Sequence, residues 1–241
     1  MRDRLTDIVS PWLAQDLGPF ISGELLGKGQ RNEIELVDPA IGKSFAEVYG
    51  ATAADVDAAV GVASAAMVDA AWNLATPVDR ANWLLKIADG LMNHSEELAG
   101  LESFCMGKPY AQALKGEIPF AASVFRYYAG AVMRVGGKES TLSKPGLHHA
   151  YTLRQPIGPV AAIVPFNGPL VIAAWKIAPA LAAGCSIVVK PALSTPLSVL
   201  RLAQLITEAG APDGVVGVLP GDGGTVGSQL GAHPGIAMIT C

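Results

Sequence analysis

Charge is scarce in this sequence: only 16% of its 241 residues are Asp, Glu, Lys or Arg. The 17 basic side chains form no block and are outnumbered by 21 acidic ones, for a net charge of −4. Phosphate contacts need clustered Lys and Arg, so nucleic acid is not an expected partner. Cysteine is scarce as well. Cys105, Cys185 and Cys241 form no CxxC pair and leave one over. Free thiols of this kind suit a reducing, cytoplasmic compartment. His94, His148, His149 and His233 lack metal-ligand spacing, so no metal is expected. The longest uncharged part of the greasiest stretch, residues 160–175, spans 16 residues. A membrane helix needs about 18, so no membrane partner is expected. The charged start, Met1-Arg2-Asp3-Arg4, has no apolar h-region and does not read as a secretory signal.

What is present is apolar material, 51% of the chain, enough for a real core and against wholesale disorder. The first 50 or so residues read as extended and turn-rich. Residues 33–37 and 44–48 are strand-like runs around Asp38-Pro39 and Gly42 and predict a hairpin. Helical signals then take over. Thr52 with Asp55 and Thr76 with Asp79 are spaced as capping boxes, the second with Pro77 at the first helical position. Trp83, Leu84, Ile87 and Leu91 form an apolar stripe. Further helices are expected from Ser95 to before Gly107-Lys108-Pro109 and from about residue 111 to 128. Residues 136–146 read as an exposed loop or boundary and 150–155 as a strand.

After Gly158 the pattern changes. Short apolar runs at 160–164, 186–190, 215–219 and 236–239 alternate with helical segments at 170–183, 197–209 and 225–230. Strands alternating with helices predict an α/β fold with a parallel sheet covered on both faces. In such sheets ligands bind beyond the carboxyl ends of the strands. Three sequence-distant points lie there, and each has two readings. Asn167 either donates its amide to an oxyanion or caps the helix that follows. Lys190 either holds a ribose or phosphate at the crevice or snorkels out of an apolar strand. The glycines from Gly221 to Gly227 either let backbone approach an anionic ligand or form a plain flexible turn.

These points and their surroundings are similar to one family. Gln155-Pro156-Ile157-Gly158-Pro159-Val160 through Asn167, then Trp175-Lys176-Ile177-Ala178-Pro179 through Gly184, resemble the NAD(P)-dependent aldehyde dehydrogenases. So do Lys190-Pro191, Thr195-Pro196, Glu208-Ala209-Gly210 and the glycine loop. Upstream, Ile21-Ser22-Gly23-Glu24, Asp38-Pro39-Ala40, Gly107-Lys108-Pro109 and Arg126-Tyr127-Tyr128-Ala129-Gly130 agree in order. The resemblance covers nearly the whole chain. It implies an aldehyde substrate, NAD or NADP as cofactor, and Asn167 as oxyanion donor with Lys176 near the active site. It also implies that Ile163, Val164, Pro165 and Phe166 line the cofactor, with Lys190 on the adenosine ribose. Gly221, Gly223, Gly224 and Gly227 then surround the adenine.

The departures carry meaning too. Phe166 stands where Trp is common. Leu193 replaces a Glu that often binds ribose hydroxyls, which removes repulsion against a 2′-phosphate and makes NADP plausible. The family's general-base Glu and nucleophilic Cys belong to segments after Cys241, which the sequence does not contain. None of the three cysteines takes the nucleophile's place: Cys105 lies at a helix end, and the apolar setting of Cys185 disfavours a thiolate. The resemblance divides the chain in three. Residues 1–135 are the N-terminal hairpin and helical part of the cofactor domain, and 136–155 are an oligomerisation arm that implies a homo-oligomer. Residues 156–241 are the first half of an incomplete Rossmann-like sheet, with the catalytic domain absent. Turnover by this chain alone is not expected; the alternative is a non-catalytic module for dinucleotide binding or assembly.

Overall fold

A computed structural model describes residues 2–241 and departs from the sequence reading at the start. Residues expected to be extended form the helix α1 (Arg2–Leu13). Leu5, Val9 and Trp12 are buried at the i, i+4, i+7 spacing that puts one helical face on a core. The strands β1 (Phe20–Ile21) and β2 (Glu24–Leu25) follow, joined by Ser22 and Gly23. Both linking residues have positive φ, the geometry that matches a tight hairpin to strand twist. The expected hairpin is β3 (Glu33–Asp38) with β4 (Lys43–Tyr49), its register shifting between Leu36 and Val37.

Both capping boxes form. Thr52 starts α2 (Ala53–Ala66), and a short α3 (Ala70–Asn73) leads to Thr76 and α4 (Pro77–Asn93). Leu84, Ile87 and Leu91 of α4 are buried. The next helix, α5 (Ser95–Met106), ends on Gly107, whose φ of 75° suits a helix stop. The predicted helix after Pro109 is longer than expected. It runs from α6 (Tyr110–Gln112) through a π-helical turn (Ala113–Glu117) into α7 (Ile118–Val132). Pro119 has no N–H to donate, and the helix widens just ahead of it. Residues 136–155 are exposed and mostly irregular. The strand expected at 150–155 is only β6 (Ala150–Tyr151), paired with β5 (Glu139–Ser140). His148 and His149 lie just ahead of β6 in irregular chain.

The alternating half forms β7 (Val160–Ile163), α8 (Pro169–Ala182), β8 (Ile187–Lys190), α9 (Leu197–Glu208) and β9 (Val216–Val218). A π-helical turn (Gly223–Gly227) then runs into α10 (Ser228–Ala232), and the chain reaches β10 (Met238–Thr240). The sheet order is β10-β7-β8-β9-β1-β2. The four βα strands are parallel as expected, but β1 adds antiparallel to β9 through Phe20 and Val218, so the sheet is mixed. Alternation along the strands divides the core. Val160, Ala162, Ile187, Val189, Val216 and Val218 join the cluster with α4, α7, α8 and α9. Ala161 and Val188 face Val56, Ala59 and Val60 of α2 and Leu230 of α10. Fully burying one such side chain is worth about 1.5–3 kcal/mol, so both helical layers hold the strand ends in place.

Candidate functional site

The first point of the crevice is the end of β8. Ile163 pairs with Lys190 across the parallel ladder, and the Val164 N–H donates to the Lys190 carbonyl at 3.0 Å. The Lys190 side chain does not run out to water. It is 5% exposed, and Nζ donates to the carbonyls of Pro191 and Gly221, each at 2.8 Å. The snorkelling reading is therefore set aside. Burial lowers the ammonium below the ordinary lysine value, and nearby Asp222 offsets part of that. An ammonium carries three donors, so one N–H remains after the two carbonyls. The stem runs over Gly227. A Cβ there would lie 3.5 Å from Lys190 Cδ and 3.9 Å from Ile163 Cδ1. Ile163, Lys190, Gly221 and Gly227, distant in sequence, form one contiguous surface.

The second point is the glycine loop. Gly221 is buried, and a Cβ on it would come within 2.4 Å of Val226 Cγ2, so packing itself demands glycine. Gly223 differs. It is exposed, its φ is not positive, and a Cβ there would meet nothing within 4 Å. Neither backbone nor neighbours require glycine at that position, whereas close approach by a ligand would. The loop is not a plain flexible turn. Asp222 caps the π-helical turn, accepting from the Thr225 N–H at 2.9 Å and from the Thr225 hydroxyl at 2.5 Å. Those bonds hold the Asp222 carboxyl below the usual carboxylate range. The chain's own carboxylate thus already occupies part of this helix start. Asp and Thr three residues apart ahead of a helix were the available signal.

The third point is the end of β7. Here Gly168, not Asn167, is the N-cap of α8, with an extended φ of −166° and no side-chain capping bond. Asn167 sits one residue too early to reach the first free N–H groups. Its capping reading is therefore corrected. Pro165, Phe166 and Asn167 are all exposed, Phe166 to 62%. Asn167 is thus exposed just beyond the carboxyl end of β7. Lys176 takes a different direction from Lys190. Its Nζ donates to Thr240 Oγ1 at 2.8 Å and to the Cys241 carbonyl at 2.7 Å, tying α8 to β10. It makes no hydrogen bond to Asn167 or Lys190. Leu193 is half-exposed and lines a groove of about 400 Å³ together with Gly221, Asp222, Asn32 and Thr52. That contribution from the start of β3 and α2 has no local signal in the sequence.

The thiols lie elsewhere. Cys105 is buried, and desolvation with help from Glu102 raises it well above the usual thiol range. Cys185 is buried just ahead of β8, at the opposite end of that strand from Lys190. Cys241 is exposed. Among the described residues no three His, Cys, Asp or Glu side chains converge on a metal position. No described helix is long and apolar enough to cross a membrane.

Parallel βα units with a buried lysine, a glycine-bearing helix start and an open amide at their carboxyl ends define a crevice of the Rossmann-like kind. The particular family follows from comparison. The aldehyde dehydrogenase family model matches residues 27–241, and the chain belongs to that family. It is 40% identical over 220 residues to the putative aldehyde dehydrogenase DhaS of Bacillus subtilis (strain 168), covering 91% of this chain and 44% of the relative. It is 41% identical over 220 residues to the NADP/NAD-dependent aldehyde dehydrogenase PuuC of Escherichia coli (strain K12), with the same coverage. Among solved structures, aldehyde dehydrogenase from Bacillus cereus in its NAD+ complex superposes with a TM-score of 0.92 at 39% identity. That match covers 96% of this chain and 47% of the other. The chain thus spans less than half the length of these relatives.

Proposed function

We propose that this chain is the dinucleotide-holding part of an NAD- or NADP-dependent aldehyde dehydrogenase, which oxidises an aldehyde to a carboxylate. The observation that carries the reading is Lys190, a buried cation fixed by two carbonyls with one N–H left over, against Gly221 and Gly227 of the loop whose Gly223 is open. These residues fit a dinucleotide. Lys190 would hold a ribose hydroxyl, Ile163, Val164, Pro165 and Phe166 would line the nicotinamide side, and Gly221, Gly223, Gly224 and Gly227 the adenine side. When bound, the cofactor supplies the hydride acceptor. Leu193 presents no carboxylate toward the groove, so nothing at that position repels a 2′-phosphate. This accords with both cofactors, as named for the relative PuuC.

In this reading Asn167 donates its amide to the oxyanion that forms from the aldehyde carbonyl. Lys176 fixes the end of β10 against α8 and so positions that side of the crevice. The buried Cys105 and Cys185 are not nucleophiles. Residues 1–135 and 156–241 form the cofactor side and 136–155 an arm for a second copy. Leu147, Leu153 and Tyr151, all well exposed on that arm, support the last point. The test is a calorimetric titration of the chain with NAD+ and with NADP+, followed by addition of an aldehyde while absorbance of reduced nicotinamide is recorded. Saturable binding without hydride transfer is expected. No heat with either dinucleotide, or rapid turnover by this chain, contradicts the reading.

A further inference from the structure

A second cavity lies at the amino end of the same sheet, away from the crevice. It has a volume of about 640 Å³, within the range of small-molecule sites. Arg80 and Arg154 both line it, and among the described residues no Asp or Glu does. Arg80 is fixed in place. Nε donates to the Ala182 carbonyl at 3.1 Å and Nη1 to the Ala75 carbonyl at 2.6 Å. Its Nη2 has no hydrogen-bond partner among the described residues. Burial lowers the guanidinium below its ordinary value, with Asp79 an incomplete offset. Asp79 is exposed and committed elsewhere, since its carboxylate accepts from the Thr76 N–H and hydroxyl. The positive charge therefore faces the cavity without a counter-ion.

The walls are apolar. Trp72 stacks on Trp83 with ring centroids 5.5 Å apart, and its indole N–H donates to the Gly184 carbonyl at 2.9 Å. Tyr128, Val132, Leu153 and Pro179 complete the apolar surface. Two features set the charge of the guest. The carboxyl ends of α7 and α8, at Val132 and Ala182, border the cavity and carry partial negative charge, which opposes a multiply charged anion. Pro77 begins α4 at the rim and has no N–H to offer a phosphate. A planar guanidinium pairs instead with a single carboxylate.

We propose that this cavity binds a small amphipathic monocarboxylate, its carboxylate on Arg80 and Arg154 and its apolar body against Trp72, Tyr128 and Leu153. The site bridges the base of the arm to α4 and α8, because Gly136, Gly137 and Gln155 form its outer rim. The two stems of the arm are in backbone contact there, the Thr152 N–H donating to the Lys138 carbonyl at 2.9 Å. A bound carboxylate would therefore stiffen the arm against the sheet.

The test is calorimetry on the whole chain with phenylacetate as probe and phenylacetamide and inorganic phosphate as controls. Phenylacetate should bind at least about tenfold more tightly than the amide, the loss of one charge-assisted pair. Phosphate should not compete. Arg154→Ala should weaken binding several-fold. Val135→Trp, which adds bulk at an exposed lining position and leaves both guanidinium groups in the chain, should abolish it. Lys43→Ala, an exposed position on β4, should leave it unchanged. Equal affinity for acid and amide, undiminished binding in Arg154→Ala and Val135→Trp, loss in Lys43→Ala, or no binding at millimolar phenylacetate each overturns the proposal.

Discussion

Lys190 and Arg80 sit at opposite ends of one parallel sheet and are held in the same way. Each is a largely buried cation tied to two backbone carbonyls, and neither has a carboxylate partner. Their surroundings differ. Lys190 stands beside an exposed glycine loop and an open amide, in a polar crevice that suits sugar and phosphate. Arg80 stands among aromatic and aliphatic walls. Identical anchoring therefore produces two different recognition surfaces, and the difference lies in what the neighbouring strand ends and helix ends present. The carboxyl ends of the strands offer glycines, an exposed amide and a lysine N–H; the amino ends border helix carboxyl ends and offer guanidinium groups.

The sharpest challenge comes from an anion buried between those ends. Glu102 is fully buried, accepts from the Ser198 hydroxyl, and its Oε2 has no hydrogen-bond partner. Burial pushes its carboxyl up from 4.5 to about 7. The folded pKa is raised, so the neutral acid is favoured on folding. Stability is full below about pH 4.5, falls as pH rises toward 7, and stays lower above that. The span corresponds to about 3 kcal/mol. Glu102→Gln should remove this slope, leaving the variant more stable than the parent at pH 8 and about equal at pH 4.5 in urea titrations. A parent whose stability is flat across that window would show that the interior tolerates an anion as readily as the two cations.

Lys190→Met leaves the Pro191 and Gly221 carbonyls without donors. It should cost about 1–3 kcal/mol in thermal or urea unfolding. It should also weaken dinucleotide binding at least about tenfold, as removal of a charge-assisted bond does. Equal dinucleotide affinity in parent and variant would end the distinction between the two ends. Gly223→Ala separates structure from ligand use. Its Cβ meets nothing, so stability should hold or rise by about 0.4–1 kcal/mol through the unfolded state. Dinucleotide affinity should nevertheless fall several-fold. Undiminished affinity would make Gly223 an ordinary turn residue. The smallest expected change is in Asp222→Asn. The amide keeps a cap on Thr225 but removes a negative charge from the dinucleotide side, so calorimetry should record affinity rising by a small factor.

Much of the fold was written in local pattern. The capping boxes at Thr52 and Thr76 form because a hydroxyl and a carboxylate three residues apart satisfy each other's backbone N–H groups. The βα alternation survives because each strand is apolar on both faces. The helix α1 was hidden by its charged side chains, although Leu5, Val9 and Trp12 carry the right spacing. The antiparallel addition of β1 depends on Phe20 meeting Val218, a pairing between remote segments for which two residues give no local signal. At the site, Lys190 and the glycine loop were legible as candidates, but their convergence on one surface needed the sheet. The direction taken by Lys176, the Asp222 cap and the Gly168 cap depend on side-chain geometry that spacing alone does not fix.

The central claim is that the carboxyl end of the sheet, and not its amino end, receives the dinucleotide. Hydrogen–deuterium exchange with and without saturating NAD+ tests it directly. Protection is expected only in peptides covering residues 163–168, 190–194 and 221–227, with exchange at 72–84 and 179–184 unchanged. Protection appearing around Arg80 and Gly184, with none at Lys190 or the glycine loop, would contradict it.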